Sequence, residues 1–249
     1  MPSDDSARGA GAWVCRWWRA LLAELVATAL LVLLGVAAIL PAAEEARPLT
    51  HPALAFGFIV LANVEIFGPV SGAHMNPAVT LAALAAGRLS GCVAAAYVLA
   101  QLAGALLGFG ALLAMVPSAA HVGATHPAAS VPAPAAAALE ALLTGLLALL
   151  ACALWHAHDP ARPDRTVSLK FGFTIAGLIY AGGPFTGASL NPARSFAPAL
   201  YQGITSDHWV YWVGPLGGAA LGALLHRLLL RPRAPPRGEA LPLSDKHDP

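Results

Sequence analysis

Long apolar runs alternate with short polar joints along most of this chain. The runs lie at about residues 17–40, 50–67, 90–115, 135–156, 167–184 and 209–230. A helix rises about 1.5 Å per residue, so some 20 apolar residues cross the roughly 30 Å hydrocarbon core of a bilayer. The pattern predicts six spanning helices. The two ends, MPSDDSARGAGA and RPRAPPRGEALPLSDKHDP, are too polar and too rich in small residues or proline to pack, and are expected to be disordered. The first run exceeds the roughly 7–15 residues of a signal-peptide core and carries Glu24, so it reads as an uncleaved span.

Composition agrees with the pattern. The 249 residues are 57% hydrophobic and 11% charged, against about 25% charged in soluble domains. A net charge of +1 gives no reason to expect a nucleic acid partner. The position of the charges is more informative. With six spans both termini share a side, and Arg8, Arg16, Arg19, Arg88, Arg162, Arg165, Lys170, Arg227, Arg231, Arg233, Arg237 and Lys246 all fall there, leaving Arg47 and Arg194 elsewhere. The positive-inside rule then puts both termini in the cytosol. Cys15, Cys92 and Cys152 have no metal-ligand spacing and read as small core residues. The nine histidines are scattered, so neither a metal nor a cofactor is expected.

The chain also repeats itself. SGAHMNPAVTLAA (71–83) and TGASLNPARSFAP (186–198) share a small residue, Gly, Ala and then Asn-Pro-Ala, with Asn76 and Asn191 at equivalent places. One Asn-Pro is a weak signal, because Asn is a common helix cap and Pro a common first helical residue. Two other features recur at almost the same offset: Glu24 with Glu140 inside spans, and QLAGALLG (101–108) with PLGGAALG (215–222). Each half holds three spans, an odd number, so the second half enters the membrane from the opposite side. The result is an inverted repeat with a pseudo-two-fold axis in the membrane plane.

Only about ten apolar residues follow each Asn-Pro-Ala, enough for roughly 15 Å of helix, or half a bilayer. Two half-helices are expected to dip in from opposite faces and meet near the middle. Irregular backbone at that depth survives only where it is buried in protein or lines a wet cavity. Both half-helices aim their positive dipole ends at one central point, which repels cations. The Ala-Gly pair at 103–104 and the Gly pair at 217–218 are expected to let helices cross closely.

The paired Asn76-Pro77-Ala78 and Asn191-Pro192-Ala193, the embedded Glu24 and Glu140, and HWVYWVGP near the start of the last run resemble the aquaporin, or major intrinsic protein, family over about residues 17–230. The resemblance implies an all-α membrane protein of six tilted helices plus two half-helices, assembled as a homotetramer in the lipid bilayer with one pore per protomer. It implies a cytosolic tail over 1–16, a channel domain over 17–230 with halves at about 17–115 and 135–230, and a second cytosolic tail over 231–249. Asn76 and Asn191 would donate to a water at the midpoint, with protons and ions excluded. Counting from each Asn, the filter would be Phe56, Ile179, Ala188 and Arg194. Glu24 and Glu140 would brace the half-helix loops, although an intramembrane carboxylate also suits proton coupling or an ion site. His74 would lie near the cytoplasmic vestibule.

The resemblance leaves the permeant open. Water-selective members typically have histidine where this chain has Ile179, which puts strict water selectivity in doubt. Ser195, Ala199 and the pair Tyr211-Trp212 match water-type members, whereas glycerol-type members typically have an acidic and a basic residue at the first two. Ala188 stands where several water channels carry a mercury-reactive cysteine. The expectation is a passive channel for water and small uncharged solutes, in the plasma membrane. The alternatives are a glycerol- or urea-permeable channel and a non-conducting structural membrane protein. A coupled transporter would need an ion site at the midplane, and beyond the two glutamates the sequence offers none. No nucleophile with a base partner suggests an enzyme.

Overall fold

The computed structural model describes residues 9–41 and 48–231. Arg8, Arg47, Arg233, Arg237, Lys246 and most of both polar ends lie outside the described residues. Eight α-helices follow in order: α1 (Ala10–Ala37), α2 (Thr50–Ser71), α3 (Pro77–Ala85), α4 (Gly91–Met115), α5 (Ala133–Ala157), α6 (Val167–Thr186), α7 (Pro192–Gln202) and α8 (Val210–Leu225). Short 3-10 turns occupy Pro117–His121 and Ser206–Trp209, and a π turn at His226–Leu230 extends α8. Six long helices thus surround two short ones of 9 and 11 residues, each about half a bilayer long.

Two details depart from the sequence expectation. Helix α1 starts at Ala10 rather than near 17. Its first turns carry Arg16 and Arg19 and look too polar for a span, yet Trp13, Trp17 and Leu21 pack with Leu89 around Ala20, Val93 and Tyr97. Tryptophans of this kind suit the membrane interface, where an apolar ring and a polar edge are both accommodated. On length and composition, five of the described helices qualify as membrane spans, and α6 is not among them. Lys170, four glycines and Pro184 dilute its apolar character.

Helix α1 packs on α4, α5 on α8, and α2 crosses α6. The first two contacts are the same contact made twice. A Cβ on Gly104 or Gly108 would stand 2.2 Å from the carbonyl oxygen of Leu25 or Ala29, and one on Gly218 or Gly222 would stand 2.1 or 2.5 Å from that of Ala141 or Gly145. No side chain fits, so glycine sets the helix separation. The expected pairs are only half involved, because Ala103 is exposed and a Cβ on Gly217 would meet nothing within 4 Å. Glycines four residues apart share a helix face; adjacent residues do not. At the α2–α6 crossing Gly57 and Gly172 each face the other's carbonyl, at 2.6 and 2.8 Å from an added Cβ. A residue meeting its own repeat copy marks the pseudo-two-fold axis.

Large apolar side chains are exposed outward on these helices, among them Leu99, Leu107, Leu142, Phe173 and Leu221. Lipid covers such a surface without penalty, since hydrocarbon is as apolar as the side chains. Cys152 is buried as expected of a small core residue, but Cys15 and Cys92 are exposed. Their positions on the outer faces of α1 and α4 correct the reading of all three as core.

Candidate functional site

Both half-helices begin alike. Asn76 and Asn191 are extended N-caps, and Pro77 and Pro192 take the first helical position, where an amide hydrogen would have no partner anyway. Asn76 Oδ1 accepts from the amide of Ala78 at 2.8 Å, and Asn191 Oδ1 accepts from those of Ala193 at 3.0 Å and Arg194 at 3.3 Å. Ahead of each cap the backbone is forced out of the usual regions. Gly72, Ala73 and Met75 have φ of 89, 48 and 53°, and Gly187, Ala188 and Leu190 have 79, 44 and 54°. Each non-glycine residue held there costs of order 1–2 kcal/mol. Such loops need external support.

Two buried carboxylates supply it. Glu24 Oε1 accepts from the Ser71 hydroxyl at 2.7 Å and the His74 amide at 2.8 Å, while Oε2 accepts from the Met75 amide and from Gln101 Nε2, both at 2.8 Å. Glu140 Oε1 accepts from the Thr186 hydroxyl at 2.7 Å and the Ser189 amide at 2.8 Å, and Oε2 from the Leu190 amide at 2.8 Å. Both glutamates are 0% exposed. Hydrogen bonds to an ionised acceptor are roughly twice as strong as neutral ones. Tyr97 and Tyr211 complete the frame, donating to the carbonyls of Ser71 at 3.0 Å and Thr186 at 2.8 Å.

The two arms then join. Asn76 Nδ2 donates to the carbonyl of Leu190 at 2.8 Å, and Asn191 Nδ2 to that of Met75 at 2.7 Å. An amide nitrogen carries two hydrogens, so each Asn keeps one N–H beyond this crossed pair. Both side chains also line a cavity of about 1260 Å³. Its walls include Gly123, Thr125 and His126 from the loop before α5, and Arg88, Asp164 and Arg165 from the opposite ends of the helices, so the cavity runs the length of the bundle. At that far end, Asp164 accepts from the amide and hydroxyl of Thr166 and pairs with Lys170. The Lys170 contact first, and then Thr166, holds its carboxyl well below the usual carboxylate range.

Phe56, Ile179, Ala188 and Arg194 all line the cavity on the side of Gly123. Arg194 is 5% exposed, and its guanidinium donates to the Gly123 carbonyl and lies with Cζ 5.4 Å from the Phe56 ring centre. A buried cation is thus held at the cavity wall by a carbonyl and an aromatic face. The model of the family described as "Major intrinsic protein" matches residues 13–226. The chain belongs to the major intrinsic protein family. These are membrane channels, not enzymes. The lens fiber major intrinsic protein of Gallus gallus is 44% identical over 229 residues, covering 90% of this chain and 86% of that protein. The namesakes from Ovis aries and Homo sapiens are 41% and 40% identical, each covering 87% of this chain and 83% of theirs. In fold, the chain is similar to the X-ray structure of the aquaglyceroporin from Plasmodium falciparum, with a TM-score of 0.74 at 22% identity, over 86% of this chain and 97% of that one.

The remaining expected residues of this major intrinsic protein, His74 apart, stand behind the cavity wall. Ser195 is fully buried and hydrogen-bonds Ser189 and, at 2.7 Å, Thr125. Ala199 is buried one turn further along α7. Trp212 stacks edge-on with Phe196 and donates to His208 Nε2 at 3.1 Å. His74 lines the cavity with Nδ1 3.1 Å from the Thr80 hydroxyl and its ring against Tyr97 and Trp155. Sequence reasoning passed over Ser71, Thr186, Tyr97, Gln101 and Asn63. Asn63, buried in α2, donates to the carbonyl of Ala27 at 2.9 Å and to Met75 Sδ at 3.1 Å. An offset within two residues of the one that paired the glutamates pairs Ser71 with Thr186 and Tyr97 with the already expected Tyr211, and would have found Ser71, Thr186 and Tyr97.

Proposed function

We propose that this member of the family is a water channel that excludes protons and ions. The observation that supports it best is the crossed pair of asparagine amides, each with one N–H committed to the other loop and one left over at the cavity. A water between them accepts two hydrogen bonds, so both of its own hydrogens point away along the pore. A proton wire is broken at that water. The half-helix N-termini and Arg194 add positive potential along the path, which opposes hydronium and metal cations.

Small uncharged solutes form the second reading, and Ile179 carries it. An isoleucine in the ring of Phe56, Ala188 and Arg194 offers no hydrogen bond, so the polar donors there come from Arg194 alone. The filter is then more apolar than one carrying histidine, a surface better suited to the carbon face of glycerol or to urea. The protein would act as a homotetramer in the plasma membrane with both termini cytosolic, the orientation supported by the clustering of Lys and Arg.

Stopped-flow light scattering on proteoliposomes tests both readings in one preparation. Water conduction predicts fast shrinkage with a low activation energy, and Asn191→Asp should slow it. Glycerol or urea uptake above that of empty liposomes would add solute permeation. Absence of water flux and of solute flux would refute the channel reading and leave a structural membrane protein.

A further inference from the structure

A second, smaller cavity of about 460 Å³ opens at the end of the bundle where α3, α5 and the π turn after α8 finish. Its walls carry Arg88, Arg227, Arg231, His156, His158 and His226, and no Asp or Glu. None of the three guanidinium groups has a hydrogen-bond or carboxylate partner among the described residues. Helix-terminal arginines usually turn to the last free carbonyls or fan out into water. Here they surround one cavity, together with the His156 and His226 rings, whose centres are 5.9 Å apart.

We propose that this cavity binds a phosphate monoester group. Three cations without counter-ions repel one another, and a dianion among them relieves that repulsion while satisfying their donors. Guanidinium matches phosphate oxygens with two parallel N–H bonds, which favours phosphate over a compact halide. Three arginines also exceed what a phosphodiester monoanion needs. The group has two sources, a soluble phosphate ester or a lipid headgroup. The lipid source gains from Leu228, Leu229 and Leu230, which are 61, 73 and 56% exposed between Arg227 and Arg231 and can carry acyl chains. Arg88, Trp155 and His158 line this cavity and the main one alike, so the bound anion sits beside the pore mouth. The site does not depend on which solute the pore passes.

The test is direct binding to the full-length protein. Inositol trisphosphate is titrated calorimetrically against the detergent-solubilised protein, and native mass spectrometry counts phosphatidic acid adducts with phosphatidylglycerol as the monoanionic control. Binding of the soluble probe supports a headgroup-sized site open to water. Adducts of phosphatidic acid alone support the lipid source. Arg227→Gln and Arg88→Gln should each weaken binding about tenfold, Arg88→Lys less, and the exposed loop variant Arg162→Gln not at all. Melting temperatures check that each variant is folded. Equal loss in Arg162→Gln, or no preference over phosphatidylglycerol, would mean general surface charge and overturn the site. So would binding that emerges only after Glu239, Asp245 and Asp248 are made neutral, which would assign the cavity to carboxylates of the chain's own C-terminal segment.

Discussion

The two ends of the pore are built from one plan and differ at one decisive place. At the Gly123 end, the outer one in the orientation proposed above, the cavity is ringed by Phe56, Ile179, Ala188 and Arg194; shifting each by the repeat offset gives Phe171, Val64, Ala73 and Val79, and all four also line the cavity. The aromatic, the branched aliphatic and the strained alanine recur. Only the arginine has no counterpart, since Val79 stands at its place. The backbone frame is duplicated while the charge is not, so one ring carries a guanidinium where its repeat copy carries the isopropyl group of Val79.

The support of the two arms also differs, which gives the largest expected effect. Glu24→Ala leaves the Ser71 hydroxyl and the amides of His74 and Met75 without their acceptor, and Gln101 keeps only Thr80. Glu140→Ala strands the amides of Ser189 and Leu190 and leaves the Thr186 hydroxyl only its long 3.5 Å contact to the Gly182 carbonyl. A buried donor left without a partner costs about 1–3 kcal/mol. Each variant should therefore lose several kcal/mol, Glu24→Ala the more, seen as a lower melting temperature in detergent and loss of water flux. Equal, small shifts would show that the loops hold themselves. Gln101 explains the order: its repeat position is Pro215, which has no donor to offer.

Next comes the difference between the rings. Arg194→Val makes the outer ring a copy of the inner one. Proton leak in a pH-sensitive dye assay should rise about tenfold, the change that roughly 1.4 kcal/mol of lost barrier produces, with urea uptake rising alongside. Placing the cation at the other end, as Val79→Arg in the same background, should bring the leak back down. If the leak stays at the wild-type level in Arg194→Val, exclusion rests on the asparagines and half-helix dipoles alone.

Much of this architecture was legible because it occurs twice. Asn76 and Asn191, or Glu24 and Glu140, are ambiguous singly, and their nearly equal offsets pointed to equivalent places that the structure fills with equivalent hydrogen bonds. What occurs once was harder to read. The loop before α5 looks like an ordinary outer connection, yet it folds into the mouth, giving Arg194 its Gly123 carbonyl and Ser195 its Thr125 partner, and it is pinned by Gln202 to the carbonyl of Val122. No periodicity marks such a segment. Gly104 and Gly217 show a second limit, because hydropathy finds a helix without saying which residue of a small pair faces its neighbour. Gly218→Val should abolish folded protein while Gly217→Val is recovered normally, a contrast that size-exclusion chromatography reads directly.

A smaller effect is expected at Ile179, where the rings differ by one methylene from Val64. Ile179→His introduces a donor or acceptor opposite Arg194 and takes away apolar surface. Glycerol or urea flux should fall several-fold, since a methylene in an apolar site is worth about 1–3 kcal/mol, with water flux nearly unchanged. Equal solute flux in the two proteins would remove Ile179 from the selectivity argument and leave width set by Phe56.

The smallest effect separates the two ends by access rather than by energy. Cys15, Cys92 and Cys152 are absent from the main cavity's lining, so an impermeant mercurial added outside should leave wild-type water flux unchanged. Ala188→Cys, on the Arg194 side, should become blocked by the same reagent and recover with a thiol. Ala73→Cys, its repeat copy, should resist, because the reagent would have to pass Arg194 and both asparagines to reach it. Block of both variants from one side would mean that the outer ring is no barrier to a molecule of that size, and the difference between the two ends would then be one of charge alone.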